Sequence, residues 1–380
     1  MREKRLVVVM ADDLTGAAEM AGIAWRHGLS VTFNALSSGV DCTLKEDVDV
    51  LIVATDTRSM TNEEAVATVK RMATVLLSSF SSFLFCKKTD SALRGHIVEE
   101  LSVLMDIFHA PSSLLLPQNP SKGRRVADGI YTIDGVPLNE TPFGHDPEFP
   151  ATSSFVSDIL PGCCCLSLSQ PLADGICVAD ASSIDDVRVQ LLKARNDTLL
   201  AGGADFFDAL LSSVFTSCRS RSAMPSLPNL QHGTFVVCGS TFFNLPSSLF
   251  TFEMPEDVFH GACADRWINS LALHASNGNS FAIAIGSKPV MGRSYAVRLR
   301  EIMALAAVEV LHTGLYHTVV VEGGATAFAI LHHARLTSFK VEGELSPGVV
   351  ALCTTWKEKP LRLILKPGSY AWGTIGQWLL

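Results

Sequence analysis

Leu6-Val7-Val8-Val9-Met10-Ala11-Asp12-Asp13-Leu14-Thr15-Gly16-Ala17-Ala18 is the stretch that decides how this chain folds. Residues 6–10 form a short apolar, β-branched run that reads as a buried parallel strand, and Gly16-Ala17-Ala18 opens a helix. The carboxyl end of such a first strand is where open α/β sheets bind their ligands. Successive strand side chains point to opposite faces, so Asp12 and Asp13 can face one way only if the turn has already begun. One of the two is expected to face a pocket, while the other, or Thr15, caps the helix.

The same alternation continues outward from this unit. Residues 30–35 read as extended, 49–54 as a strand, and 62–77 as a helix that Thr61 and Glu64 open as a capping box. Strands at 83–87 and 113–116 enclose a helix at 95–108, and this βαβ order predicts a doubly wound parallel sheet. Residues 117–153, rich in Pro, Gly, Asp and Asn, are too long for a plain connection and read as a functional loop or hairpin. A strand at 176–179, a helix at 184–194 and a strand at 199–201 resume the pattern. The Ser/Pro-rich stretch 217–233 reads as a linker. Beyond it lie strands at 235–238, 281–285 and 318–322 and a helix at 294–313. The expected architecture is two α/β domains with largely parallel sheets, over residues 1–216 and 234–380.

Composition sets the outer bounds. A chain of 380 residues exceeds one ordinary core, and 48% hydrophobic with 18% charged residues describes a globular protein. A net charge of -8 argues against a nucleic-acid partner, though local basic groups can still bind a small anion. No apolar run reaches the ~18–20 residues of a membrane helix, so no membrane partner is expected. The first apolar run stops at Asp12 without a secretory cleavage pattern, which makes the cytoplasm the expected location. The ten cysteines include no Cys-x-x-Cys pair. Cys163-Cys164-Cys165 would alternate faces on a strand, so buried or half-buried thiols are expected rather than metal ligands. His332 and His333 face apart on a helix, and neither a His-Glu-x-x-His pattern nor a nucleophile elbow occurs.

Chemistry-bearing residues gather at strand ends. Asp12 and Asp13 follow the first strand, and Asp56, Thr57 and Arg58 follow the strand at 49–54. Lys87, Lys88, Asp90, Ser91, Arg94 and Gly95 follow the strand at 83–87, and Asn119, Gly123 and Arg124 follow that at 113–116. A parallel sheet gathers such ends on one rim, the expected small-molecule site. Mixed Asp, Lys and Arg suit a polyhydroxylated anion, because Arg offers a planar fork to a carboxylate and Asp accepts from hydroxyls. Lys88 and Asp90 could instead form a plain surface pair. In the second domain, Gly323-Gly324-Ala325-Thr326 lies between a strand and a helix, where free amides favour phosphate. Gly239-Ser240-Thr241 and Lys366-Pro367-Gly368-Ser369 are two more turns of that kind. No Walker or Rossmann glycine fingerprint is present, yet several phosphate-friendly strand ends in one domain suggest a nucleotide.

Together these segments resemble the four-carbon acid sugar kinase family. The resemblance is carried by ADDLTGA at 11–17, TDTR at 55–58, KKTDSALRGH at 87–96, PQNPSKGR at 117–124 and DGVPLNETPFGHDP at 134–147. GGATA at 323–327, GELSPGV at 343–349 and KPGSY at 366–370 follow in order, so it spans nearly the whole chain. It implies ATP-dependent phosphorylation of a tetronate-like sugar acid, with an N-terminal acid-binding domain, a C-terminal nucleotide-binding domain and an active site in the interdomain cleft. It makes Asp12, Arg58, Lys88, Asp90 and Arg94 contacts of the acid, and Ser240, Gly323, Gly324, Ala325, Thr326 and Gly368 contacts of the nucleotide. Asp13, Thr15, Ser91, Asn119 and Arg124 complete the expected acid-binding set.

Transfer of this kind rests on positioning and electrostatics, with Mg²⁺ offsetting phosphate charge. Asp12 or Asp90 is the candidate base, and Lys88 or Arg94 would hold the substrate carboxylate or the developing phosphate charge. A homo-oligomer is compatible with the sequence. Three departures from the family pattern stand out: Ala325 where a carboxylate is usual, Ser369-Tyr370-Ala371 after Pro367-Gly368, and Gly202-Gly203-Ala204-Asp205 where Gly-Ser-Ala-Gly is expected. The alternative that Ala325 and Ala371 favour is a sugar-acid and nucleotide-binding protein that has lost transfer.

Overall fold

The computed structural model describes residues 6–35, 48–146, 149–216, 221, 233–239, 245, 249–286 and 292–368. The chain divides into two compact units, Met1–Thr32 with Ser38–Arg221, and Phe33–Ser37 with Ser222–Leu380.

The first unit contains β1 (Val7–Ala11), α1 (Leu14–Arg26), the start of β2 (Val31–Ala35), β3 (Val50–Ala54), α2 (Asn62–Ser79), β4 (Leu84–Lys88), α3 (Ile97–Phe108) and β5 (Ser112–Leu116). There follow β6 (Arg124–Ala127), β7 (Ile130–Ile133), β8 (Val136–Pro137), α4 (Val156–Ile159), β9 (Cys164–Leu166), β10 (Gly175–Ala179), α5 (Ile184–Leu191), β11 (Thr198–Gly202) and α6 (Ala204–Val214). Its sheet runs β3-β1-β4-β11-β5-β10-β9, parallel throughout. β1 and β3 are buried at every position, as near-continuous apolar strands covered on both faces must be.

Strand order reverses at β1. The chain moves outward from β1 to β3 on one side, then returns to lay β4 on the other. A crevice opens at the carboxyl ends wherever an α/β sheet reverses in this way. The expected capping box of α2 is formed, with Glu64 N–H donating to Thr61 Oγ1 and Thr61 N–H to Glu64 Oε2. Helix α1 starts at Leu14 rather than Gly16, because Asp13 is its cap. The long polar stretch after β5 contains an antiparallel sheet of β6, β7 and β8, closed by a 3-10 turn at Pro142–His145.

One cysteine reading is overturned. Parallel pairing sets Cys164 opposite Cys177 with Cα atoms 4.7 Å apart, and the two form a disulfide. Thirteen residues separate them in sequence, so only the pairing of β9 with β10 brings them together. Cys163 and Cys165 remain free thiols.

The second unit contains β12 (Thr234–Cys238), β13 (Thr251–Glu253), α7 (Glu256–Phe259), α8 (Asp265–Ala275), β14 (Phe281–Ala284), α9 (Arg293–His312), β15 (Thr318–Glu322), α10 (Gly324–Ala334), β16 (Ser338–Ser346), β17 (Val349–Trp356) and β18 (Lys359–Lys366). Its strands run β13-β14-β12-β15-β18-β17-β16, parallel as far as β18 and antiparallel from there. Val236, Ala282, Val320, Ala351 and Ile364 fill its core. No helix of the described residues is long and apolar enough to cross a membrane.

β4 also carries a buried ion pair, Lys87 Nζ to Glu100 Oε2 of α3 at 2.6 Å, with both side chains at most 3% exposed. Removing one partner of such a pair strands the other charge away from water. Lys87→Met is therefore expected to destabilise the protein by about 3–5 kcal/mol, whereas Lys87→Met with Glu100→Leu recovers most of the loss. Urea titrations of the three proteins check this, and a double variant no more stable than the single one contradicts it.

Candidate active site

Reversal of strand order at β1 brings the ends of β1, β3 and β4 together, and one guanidinium joins them. Arg58 donates from Nε to Asp12 Oδ2 at 2.8 Å and from Nη2 to Asp13 Oδ1 at 2.9 Å, while Nη1 lies 3.2 Å from Asp90 Oδ1. Arg58 sits in a 3-10 turn at Thr57–Ser59, entered through Asp56 in the left-handed region at φ 54°. On the opposite wall Gly95 takes φ 94°, and a Cβ there would lie 3.3 Å from Arg58 Cγ. Glycine is thus required both by the backbone angle and by the closeness of the arginine.

Asp13 serves two purposes at once. Its Oδ1 accepts from Gly16 N–H at 3.0 Å as the helix cap, and its Oδ2 accepts from the Thr15 hydroxyl. Thr15 is therefore spent on Asp13. Burial alone would raise the Asp13 pKa, but the charges of Arg58 and Lys88 outweigh it and lower the carboxyl below its ordinary value. Asp90 is likewise pushed up by burial and pulled further down by Arg58 and Arg94, to well below the usual carboxylate range. Arg94 forks onto Asp90 through Nε and Nη2, both at 2.9 Å, and reaches Asp146 Oδ2 through Nη1 at 3.0 Å.

Against this saturated network two groups stand apart. Asp12 is 4% exposed, and its Oδ1 has no hydrogen-bond partner among the described residues. Lys88, 3% exposed, donates to the Thr89 carbonyl at 2.7 Å and has no carboxylate within ion-pair distance among the described residues. Lys88 is paired in register with Ala11, the residue before Asp12. The surface pairing of Lys88 with Asp90 considered from sequence is overturned, since burial at the switch point gives Asp90 to the two arginines instead.

The small sheet supplies groups that spacing alone did not reveal. Arg124 Nη1 donates to the Ser91 hydroxyl, and the buried Tyr131 hydroxyl donates to the Ser91 carbonyl. The Phe143 ring lies under both Arg94 and Arg124, at 5.2 and 5.4 Å from its centroid. Tyr131, Phe143 and Asp146 have no periodic pattern to mark them; position within or beside the 134–147 motif was the available signal. Asn119 is drawn elsewhere, its Oδ1 accepting from Asp205 N–H at 3.0 Å in the first turn of α6.

In the second unit, β12, β15 and β18 are neighbours, so their terminal turns meet. Gly239 N–H donates to the Glu322 carbonyl at 3.0 Å, and Gly323 N–H to the Lys366 carbonyl at 2.9 Å. Gly323 has φ 105° and opens α10 without a side-chain cap, leaving amides of Gly324, Ala325 and Thr326 at a helix N-terminus. A Cβ on Gly239 would fall 2.0 Å from Thr326 Oγ1, so backbone and helix approach more closely there than any side chain allows. Beneath these turns Lys366 Nζ and Glu322 Oε1 lie 3.2 Å apart, each at most 1% exposed. Gly368 continues from Lys366, whereas Ser240 and Ser369-Tyr370-Ala371 lie outside the described residues. Among the described residues no group of three or more His, Cys, Asp or Glu could hold a metal.

Asp13 and Asp90 have depressed pKa values in the folded chain, so they add stability above their ordinary range. That contribution is lost as pH falls through the folded values. Arg58→Met removes the shared cation and lets burial push the carboxylates up. Acid unfolding followed by circular dichroism should then begin at a higher pH than in the wild type; an unchanged midpoint contradicts the network's role.

A sugar-binding N-terminal domain model matches residues 7–210, and a nucleotide-binding C-terminal domain model matches 269–370. The chain is 32% identical over 162 residues to the D-erythronate kinase of Heliobacterium modesticaldum, covering 40% of this chain and 35% of that one. With the D-threonate kinase of Salmonella typhimurium it is 29% identical, over 40% of this chain and 36% of the relative. These two alignments thus span about a third of each relative. The 3-oxo-tetronate kinase of Brucella melitensis is 23% identical over 415 residues, covering 95% of this chain and 92% of the relative. Two crystal structures share the fold across 98% of both chains: a Salmonella typhimurium LT2 protein labelled a tRNA synthase (TM-score 0.77, 20% identity) and a Haemophilus influenzae protein of family DUF1537 (0.71, 17%). At such identities they speak for the fold alone. With more than half its length matched by the sugar-binding model, the chain belongs to the four-carbon acid sugar kinase family, whose members join a sugar-binding N-terminal domain to a nucleotide-binding C-terminal domain.

Proposed function

We propose that this protein is an ATP-dependent kinase that phosphorylates a hydroxyl of a four-carbon sugar acid, a tetronate or oxo-tetronate. The observation that carries this reading is the orphaned Asp12 Oδ1 after β1, with Lys88, which has no carboxylate partner among the described residues, ending the adjacent strand β4. A buried carboxylate oxygen without a partner needs a donor, and a substrate hydroxyl is one. The names of the relatives, kinases of erythronate, threonate and 3-oxo-tetronate, support the substrate class.

The residues present fit the nucleotide. The uncapped N-terminus of α10 and the cradle of Gly239 and Gly323 suit phosphate oxygens, so Gly239, Gly323, Gly324, Ala325, Thr326 and Gly368 would hold them. ATP bound there would supply the γ-phosphoryl group, and Mg²⁺ bound with it would offset the charge of its phosphates. The rest of the work falls to the first unit. Arg58 fixes Asp12 through Oδ2, leaving Oδ1 to accept the hydroxyl proton as the new O–P bond forms and the bond to the leaving diphosphate breaks. Lys88 has N–H groups available for the negative charge that develops. Asp90, locked by two arginines and held ionised, organises the site rather than acting as the base. Asp12 is therefore the base.

A second reading, a binding protein that has lost transfer, is favoured by Ala325, which leaves the first turn of α10 without a carboxylate. ADP release measured with threonate, erythronate and their 2- and 3-oxo forms decides between them. Turnover with one acid is expected; binding of acid and ATP without ADP release supports the second reading. Asp12→Asn should lower kcat by about 10²–10⁴-fold while ATP binding persists. Full turnover in that variant overturns the assignment of the base.

A further inference from the structure

Four cations, Arg58, Lys88, Arg94 and Arg124, stand in and around the site, and the hydrogen bonds show which are already committed. Arg58 spends three nitrogens on Asp12, Asp13 and Asp90, and Arg94 spends three on Asp90 and Asp146. Neither retains a full fork for another carboxylate. Lys88 and Arg124 are the two without a carboxylate partner among the described residues. They differ in shape and place. Lys88 is a buried point charge in register with the residue before Asp12, on the side of the proton acceptor. Arg124 is half-buried, lies over the Phe143 ring, and uses only Nη1, on the neutral Ser91 hydroxyl.

Its remaining edge, Nε with Nη2, makes no hydrogen bond among the described residues. Such an edge matches the two oxygens of a carboxylate, which an ammonium cannot do. The orientation of Arg124 is built in from three directions. Tyr131, fully buried, holds the Ser91 backbone through its carbonyl, and Ser91 in turn accepts from Arg124. Phe143 supports the guanidinium plane, and the β6–β7 pairing sets Arg124 opposite Ile133.

We propose that Arg124, oriented by Ser91, Tyr131 and Phe143, is the receptor for the substrate's carboxylate and the residue by which this site separates sugar acids from uncharged polyols. This rests on the sugar-acid reading above. It also withdraws the earlier expectation that Lys88 or Arg94 takes that carboxylate: Arg94 is spent on Asp90 and Asp146, and Lys88 is left for the transferring group.

Calorimetric titration of the full chain with D-erythronate and D-threonate, and with erythritol and threitol, tests the assignment. The wild type is expected to bind at least one acid and to prefer it to the matching polyol. Arg124→Gln should weaken acid binding by about 10- to 100-fold, the scale of a charge-assisted contact, with polyol binding unmoved, so that the preference collapses. A merely structural role would weaken both ligands alike. Thermal stabilisation by ADP, read in the same variant, reports whether it is folded. Should it not fold, Arg124→Lys decides, because it keeps the charge, loses the fork, and must still lose most of the preference. A variant that favours acid over polyol as strongly as the wild type overturns the proposal alone. A wild type that binds neither acid overturns the sugar-acid reading as well.

Discussion

One guanidinium between three carboxylates is the interaction on which the rest of the first unit's site depends. Burial raises the pKa of Asp13 and Asp90, and the charge of Arg58, which also clamps Asp12, is the largest influence lowering each. Its planar fork reaches both members of the Asp12-Asp13 pair through different nitrogens, which lets two adjacent residues serve one cation. Asp13 is thus the helix cap and at the same time a partner of Arg58. Asp12 is left with one oxygen clamped and one unsatisfied among the described residues.

The network also divides its charges into those paired with one another and those without a carboxylate partner among the described residues. Arg58 and Arg94 pair internally and hold Asp90 ionised, so they contribute rigidity and field rather than open donors. Lys88, Arg124 and Asp12 Oδ1 are what remains. The small antiparallel sheet after β5 sets Arg124 and Phe143 in place, which accounts for a long polar insertion in an otherwise regular α/β unit.

The second unit reaches phosphate-compatible geometry by different means. Three strands that are neighbours in the sheet each end in a turn containing glycine, and backbone hydrogen bonds join these turns. The buried Lys366–Glu322 pair ties β18 to β15 directly beneath these turns. Ala325 is exposed in the first turn of α10, so that helix end presents its dipole without a competing carboxylate.

Much of this was legible in the residues alone. Apolar runs ending in charge marked β1, β3 and β4 and their rim, because burial on both faces of a parallel sheet leaves polar groups only at strand ends. The Thr61–Glu64 capping box was readable because it is local. What the sequence could not settle were matters of distance between remote segments: that Cys164 faces Cys177, that Asn119 serves α6, that Lys88 and Asp90 do not pair, and that Phe143 underlies two arginines. Local pattern determined which charged residues lie at the strand ends, since periodicity and capping are properties of neighbours along the chain. Tertiary structure decided which of those charges are already spent, since ion pairing depends on strand order and register, and sequence spacing does not encode either.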